Sequence, residues 1–254
     1  MRRFVIGDIH GCAQALATLV REISPTADDM LVFLGDYVDR GPDSRAVVDQ
    51  LIELGDRCQV ISLRGNHEVM FLAVLFGGLE PELWLGCGGQ ATVASYGGSL
   101  DRIPQSHLRF LQSLRPDFET SEEAFIHAGY DPQCPIAQTA DNLRYWEHPV
   151  VWPGPHRSGK RVYVGHSPQT NGECLDLGHL VCVDTYCFGG GWLTALDLDS
   201  HRPIQASQQG KLRQPPLASA WRWAKRAVTR RPYSDGAHQP PPADGAIPPP
   251  GQPG

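Results

Sequence analysis

The stretch FLGDYVDRGPDS, residues 33–44, carries an apolar run from Met30 to Leu34 directly into Asp36, Asp39 and Arg40, between Gly35 and Gly41. Glycine and aspartate are ordinary turn residues, so one such cluster reads equally well as a polar turn. The arrangement recurs, however. Phe4 to Ile6 leads into GDIHG, Val60 to Leu63 into RGNHE, Ala124 to Ile126 into HAG, and Val162 to Val164 into GHS. Strand-like runs that repeatedly end in chemically capable side chains point to one site assembled at strand ends.

Helical spacing separates these runs. Cys12 to Ile23 carries Leu16, Leu19, Val20 and Ile23 at intervals of three and four, and Pro25 lies just beyond. Ser44 to Leu54 presents Val47, Val48, Leu51 and Ile52 behind a capping Asp43 or Ser44. A third helix is expected from near Glu68 to Phe76, ended by Gly77 and Gly78, and a fourth from Gln105 to Leu114. This alternation argues an α/β fold. RVYVGHS, HLVCVDTYC and WLTALDLD then follow with short connections, so a second sheet with antiparallel members is expected. The predicted architecture is two mixed β-sheets packed as a sandwich with outer helices. Residues 84–98, WLGCGGQATVASYGG, read as a loop near the site entrance, shaped by Gly88, Gly89, Gly97 and Gly98, with Cys87 as a small buried residue.

At 254 residues, 41% apolar and 20% charged, the chain has the composition of a soluble globular protein. A net charge of -6 offers no basic footprint for nucleic acid. No run reaches transmembrane length, and MRRFVIGDIHG is expected to be a first strand, not a signal peptide. Seven cysteines without a close CxxC pair indicate neither a disulfide scaffold nor a zinc knuckle, so a cytoplasmic setting is expected. Residues 1–230 are predicted to form a single domain. Residues 231–254, which include PPPADGAIPPPGQPG, are predicted to be a flexible Pro/Gly-rich tail.

Asp8 and His10 lie two apart, so both point the same way from an extended strand end. With Asp36, Asn66, His127 and His166 they make an oxygen and nitrogen donor set without thiolates, and His67 stands beside Asn66. Such a set suits two divalent ions, and an aspartate such as Asp36 can bridge them. Mn²⁺ is the expected metal, with Fe, Zn²⁺, Ni²⁺ or Mg²⁺ also compatible.

GDIHG, GDYVDRG, RGNHE, HAG and GHS, in this order, resemble the PPP family of calcineurin-like metallophosphoesterases, over roughly Phe4 to Asp199. The likeness is strongest to bacterial and phage members, which include serine/threonine protein phosphatases of the lambda-phosphatase kind and symmetrical diadenosine tetraphosphatases. The resemblance implies that Asp8, His10 and Asp36 hold one metal and Asp36, Asn66, His127 and His166 the other. It makes His67 the acid that protonates the leaving oxygen, Asp39 its orienting partner, and Arg40 a phosphate clamp. Hydrolysis would proceed by direct attack of a hydroxide bridging the metals, with no covalent intermediate. Glu68 is placed behind the ligands, bracing the following helix.

Members of the family usually offer a second phosphate-binding arginine between HAG and GHS. Here the segment reads DNLRYWEHPVVWPGPHRSGK, and Arg144 is the nearest candidate, out of the familiar register. The expected activity is phosphomonoester hydrolysis on phosphoserine or phosphothreonine proteins, with phosphotyrosine and small aryl phosphates as additional substrates. The alternatives are a symmetrical bis(5'-nucleosyl)-tetraphosphatase, for which Tyr96, Trp146 or Trp152 would stack the base, and a non-catalytic phosphate-binding module.

Overall fold

A computed structural model describes residues 1–214. The chain begins with β1 (Arg3–Ile6), α1 (Ala13–Ile23), β2 (Met30–Phe33), α2 (Ser44–Gly55), β3 (Gln59–Ser62) and α3 (Asn66–Leu75). Next come α4 (Pro81–Trp84), a glycine-rich kink at Leu85–Gly89, α5 (Gln90–Ser95) and α6 (Gln105–Gln112). The remainder is β4 (Asp117–Glu119), β5 (Glu123–Ile126), α7 (Asp141–Trp146), β6 (Arg161–Val164), β7 (Leu175–Asp176), β8 (Leu180–Cys182), β9 (Leu193–Asp197) and β10 (Pro203–Ala206).

One sheet has the order β10-β9-β1-β2-β3 and the other β4-β5-β6-β8-β7. Both are mixed, as expected: β1, β2 and β3 pair in parallel while β9 joins β1 antiparallel. In the second sheet β5, β6 and β8 are parallel, flanked by antiparallel β4 and β7.

The period of two along each strand divides the core. Phe4, Ile6, Leu31 and Phe33 pack with Leu16 and Leu19 of α1 and Val47, Val48 and Leu51 of α2. The intervening Val5, Val32 and Ile61 meet Phe125, Tyr163 and Val181 of the other sheet, forming the seam of the sandwich. Ala124, Ile126, Val162, Val164 and Leu180 face outward from the second sheet and are covered by Tyr130 and Ile136. Both α1 and α2 are therefore amphipathic for a definite reason, since each covers the same outer face of one sheet. Asp43 caps α2 by accepting the Ala46 N–H at 2.9 Å.

Several elements differ from the sequence reading. The third helix begins at Asn66, ahead of Glu68, because Glu68 turns back to accept the Gly65 N–H at 3.0 Å. The fourth stops at Gln112. Residues 84–95 are not an entrance loop: α4 ends at Trp84, and a kink at Leu85–Gly89 leads into α5. Among the described residues no helix is long and apolar enough to cross a membrane. Met1–Arg213 forms one compact unit, while the boundary at residue 230 and the tail at 231–254 lie outside the described residues.

Candidate metal centre and acid dyad

The carboxyl ends of β1, β2, β3, β5 and β6 deliver Asp8 and His10, Asp36, Asn66 and His67, His127, and His166 to one place. Two groups of ligand-type atoms lie within 4.8 Å of one another, His10 with Asp36 and His67, and Asp36 with His127 and His166. Asp36 is common to both. Its Oδ2 lies 3.4 Å from His10 Nε2 and its Oδ1 3.5 Å from His127 Nε2, so the two oxygens face different groups. The Asn66 side-chain amide is 3.0 Å from His127 Nε2 and 3.1 Å from His166 Nδ1. Asp8 is in neither group; its carboxylate accepts the His166 backbone N–H at 3.0 Å.

The backbone is bent to make this convergence. His10, Asp36, Asp39, Arg40 and His166 all have positive φ, at 44°, 52°, 72°, 66° and 62°. Side-chain-bearing residues rarely adopt this region, and such strain concentrates at functional sites. Glu68 holds the bend after β2, accepting the N–H groups of Asp36, Tyr37 and Val38 at 2.9, 2.7 and 3.2 Å. Its carboxyl is pushed up to about 7 by burial and by Asp36.

Burial opposes the charge on Asp36, but His127, His67, His10 and His166 around it overcome that effect and hold the carboxyl well below the usual range. Burial lowers the pKa of His10, His127 and His166, favouring the neutral imidazole that a metal requires. His67 is different. Burial again lowers its pKa, but Asp36 and the hydrogen bond that His67 donates to Asp39 outweigh burial and raise it.

These residues fit two divalent ions. Mixed imidazole, amide and carboxylate donors converge without thiolates, one carboxylate spans both groups, and the buried Nε2 of His166 has no hydrogen-bond partner among the described residues.

His67 Nδ1 lies 2.7 Å from Asp39 Oδ2, both side chains being buried, so Nε2 is the ring nitrogen not engaged by Asp39. Arg40 reaches the same cluster: its Nη1 is 3.4 Å from His10 Nε2 and its guanidinium lies over the Phe188 ring at 4.7 Å. Arg144 is not part of the site. It is buried, pairs with Asp117 and donates to the carbonyls of Ala137 and Thr139, because α7 turns it toward β4. Tyr96 is likewise buried in the core, 2.9 Å from His107 Nδ1, and Trp146 packs on the same core, while Trp152 packs on the outer face of the second sheet.

The strand-end pattern extends to Asp184, two residues beyond β8. It is buried, its carboxyl is pushed up to about 7 by burial, and its charge acts on Asp8. The run LVCVD already carried that signal. His148, stacked on His166 at 4.0 Å and 16°, and Phe188, edge-on to His10 at 4.8 Å, carried none, since one comes from an irregular connection and the other from a single 3-10 turn, Cys187–Gly189.

A two-sheet sandwich with this donor set at its strand ends defines a metallophosphoesterase. The chain belongs to the calcineurin-like phosphoesterase family, whose model matches residues 1–230. It is 26% identical to a symmetrical bis(5'-nucleosyl)-tetraphosphatase of Bordetella pertussis, over 80% of this chain and 94% of that protein. It is 29% identical to serine/threonine-protein phosphatase 1 of Salmonella typhimurium, over 75% of this chain and 89% of that one. In fold it resembles a cold-active protein-tyrosine phosphatase of a psychrophilic Shewanella, with a TM-score of 0.59 at 16% identity, covering 84% and 79% of the two chains.

Proposed function

We propose that this chain is a binuclear metal-dependent phosphomonoesterase whose substrate class is phosphoserine and phosphothreonine in proteins. The observation that carries this reading is the buried pair of His67 and Asp39, joined at 2.7 Å beside the Asp36 cluster. A serine or threonine leaving group departs as a strongly basic alkoxide and needs a proton as it leaves. The diphosphate released from a dinucleoside tetraphosphate is weakly basic and leaves without one. A dedicated acid is therefore worth most on an alkyl phosphate, on the order of 10²- to 10⁴-fold.

Asp8, His10, Asp36, Asn66, His127 and His166 would hold the two ions, with Mn²⁺ the expected metal. When bound, the ions supply positive charge for the phosphate oxygens and lower the pKa of water. Arg40, braced by Phe188, grips the phosphate through its planar guanidinium. Asp39 keeps Nδ1 of His67 occupied, so that Nε2 carries the proton to the leaving oxygen. All seven cysteines are free, which supports a reducing, cytoplasmic setting.

Symmetrical dinucleoside tetraphosphate cleavage is the second reading, favoured by the name of the Bordetella relative. A matched comparison decides between them, with phosphoserine and phosphothreonine peptides and diadenosine tetraphosphate given to one Mn²⁺-loaded preparation. Higher kcat/KM is expected on at least one phosphopeptide. A preference of about 100-fold for the dinucleotide, about 2.7 kcal/mol of transition-state binding, with release of two diphosphates, would overturn the phosphopeptide reading.

A further inference from the structure

Trp84 at the end of α4 and Thr92 in α5 enclose the carboxylate of Asp39. Trp84 Nε1–H donates to Asp39 Oδ2 at 2.8 Å, the oxygen that also faces His67. The Thr92 hydroxyl donates to Oδ1 at 2.6 Å and accepts the Asp39 backbone N–H at 2.9 Å, clamping both ends of the residue. Ser44 Oγ lies 2.9 Å from that hydroxyl and accepts the same N–H at 3.0 Å. Asp39, Trp84 and Thr92 are each 0% exposed, so water cannot replace either donor.

The glycine-rich kink between the two helices makes this enclosure possible. A Cβ at Gly89 would strike the Trp84 indole, which stacks on Phe71 at 4.9 Å and 15°. Gly88, at φ 109°, accepts the Arg40 N–H at 3.1 Å, and a Cβ there would lie 2.7 Å from Arg40 Cγ. One kink thus closes on the acid pair and on Arg40 together.

We propose that Trp84 and Thr92 are positioning residues for proton delivery by His67, a proposal that rests on His67 being the acid. The two neutral donors fix the plane of the Asp39 carboxylate without cancelling its charge, and the carboxylate fixes the tilt and tautomer of the imidazole. In the step they serve, a hydroxide oxygen forms a bond to phosphorus as the bond from phosphorus to the leaving oxygen breaks, and the electron pair of the broken bond stays on the leaving oxygen. The Nε2 proton moves to it, while Nδ1 keeps its own proton toward Asp39. Trp84 and Thr92 give up no proton.

The test uses the full metal-loaded chain with Trp84→Phe, which retains the ring on Phe71, and Thr92→Val, with Thr92→Ser as the conservative control. Phenyl phosphate, whose leaving group is basic, is compared with p-nitrophenyl phosphate. Each loss-of-donor variant should lower kcat on phenyl phosphate about tenfold and on p-nitrophenyl phosphate by less than about twofold, with KM and bound metal unchanged. Thr92→Ser should restore the wild-type ratio. Equal losses on both substrates, or none on either, would overturn the proposal. If one variant folds poorly, the other supplies the same comparison. Because neither substrate is a peptide, failure of the protein-phosphatase reading is distinguishable from failure of this one.

Discussion

Glu68 holds Asp36 by its backbone: the Glu68 carboxylate accepts the Asp36 N–H at 2.9 Å, locking the candidate bridging residue at a φ of 52°. Three further amides, of Tyr37, Val38 and Gly65, meet the same buried carboxylate at 2.7, 3.2 and 3.0 Å. Glu68→Gln turns one acceptor into a donor that faces N–H groups. We expect a loss of about 2 kcal/mol in urea unfolding, together with weaker metal binding. Unchanged stability with full metal content would show that the bend holds without Glu68.

Asp36 and His67 should separate metal retention from proton transfer. Asp36→Asn removes the charge common to both ligand groups and should lower the metal content. His67→Ala should keep both metals, with a greater loss of turnover on substrates with poor leaving groups than on p-nitrophenyl phosphate. Mn²⁺ added back to chelated wild-type protein should restore the most activity among Mn²⁺, Ni²⁺, Mg²⁺ and Zn²⁺. Metal analysis with one ion missing in His67→Ala and both kept in Asp36→Asn would reverse the two roles.

Arg144 and Arg40 carry the same charge and should fail in different ways. Arg144 pairs with Asp117 at 5% side-chain exposure, so Arg144→Ala should destabilise the fold by about 3 kcal/mol and leave the KM of the folded fraction unchanged. Arg40→Ala should raise KM and lower kcat with little change in the unfolding midpoint. A raised KM in Arg144→Ala at unchanged stability would return that residue to the site.

Acid stability has a separate origin. Arg2 donates to Asp29 at 2.6 Å, and this pairing, against burial, holds the Asp29 carboxyl below the ordinary aspartate range. A depressed carboxyl stabilises the fold above its unfolded value, near pH 3.9, and loses that contribution as pH falls through the folded value. Arg2 is half exposed, so Arg2→Ala should cost only about 1 kcal/mol at neutral pH. The gap between variant and wild type should narrow in urea melts below about pH 3.9. A gap that is constant with pH would mean that Arg2 acts through packing alone.

Local sequence was enough to single out the candidate donors, since each follows shortly after a strand whose apolar run can be read in order. Asp36 after Met30–Phe33, and His127 after Glu123–Ile126, needed nothing from distant residues to be recognised. The two mixed sheets were legible for a related reason, because an alternating pattern shows which strands have a buried face.

Only the tertiary structure decided how these pieces face one another. Arg144 falls beside the aromatic residues where a phosphate clamp was expected, yet α7 turns it inward onto Asp117, an orientation set by packing between elements far apart in sequence. Trp84 and Thr92 lie 45 and 53 residues from the Asp39 they enclose, and a run of glycines reads as a loop until its neighbours are known. Strand ends announce themselves locally because chain direction and side-chain alternation place them. A hydrogen bond that closes across the fold depends on distances that no local spacing encodes.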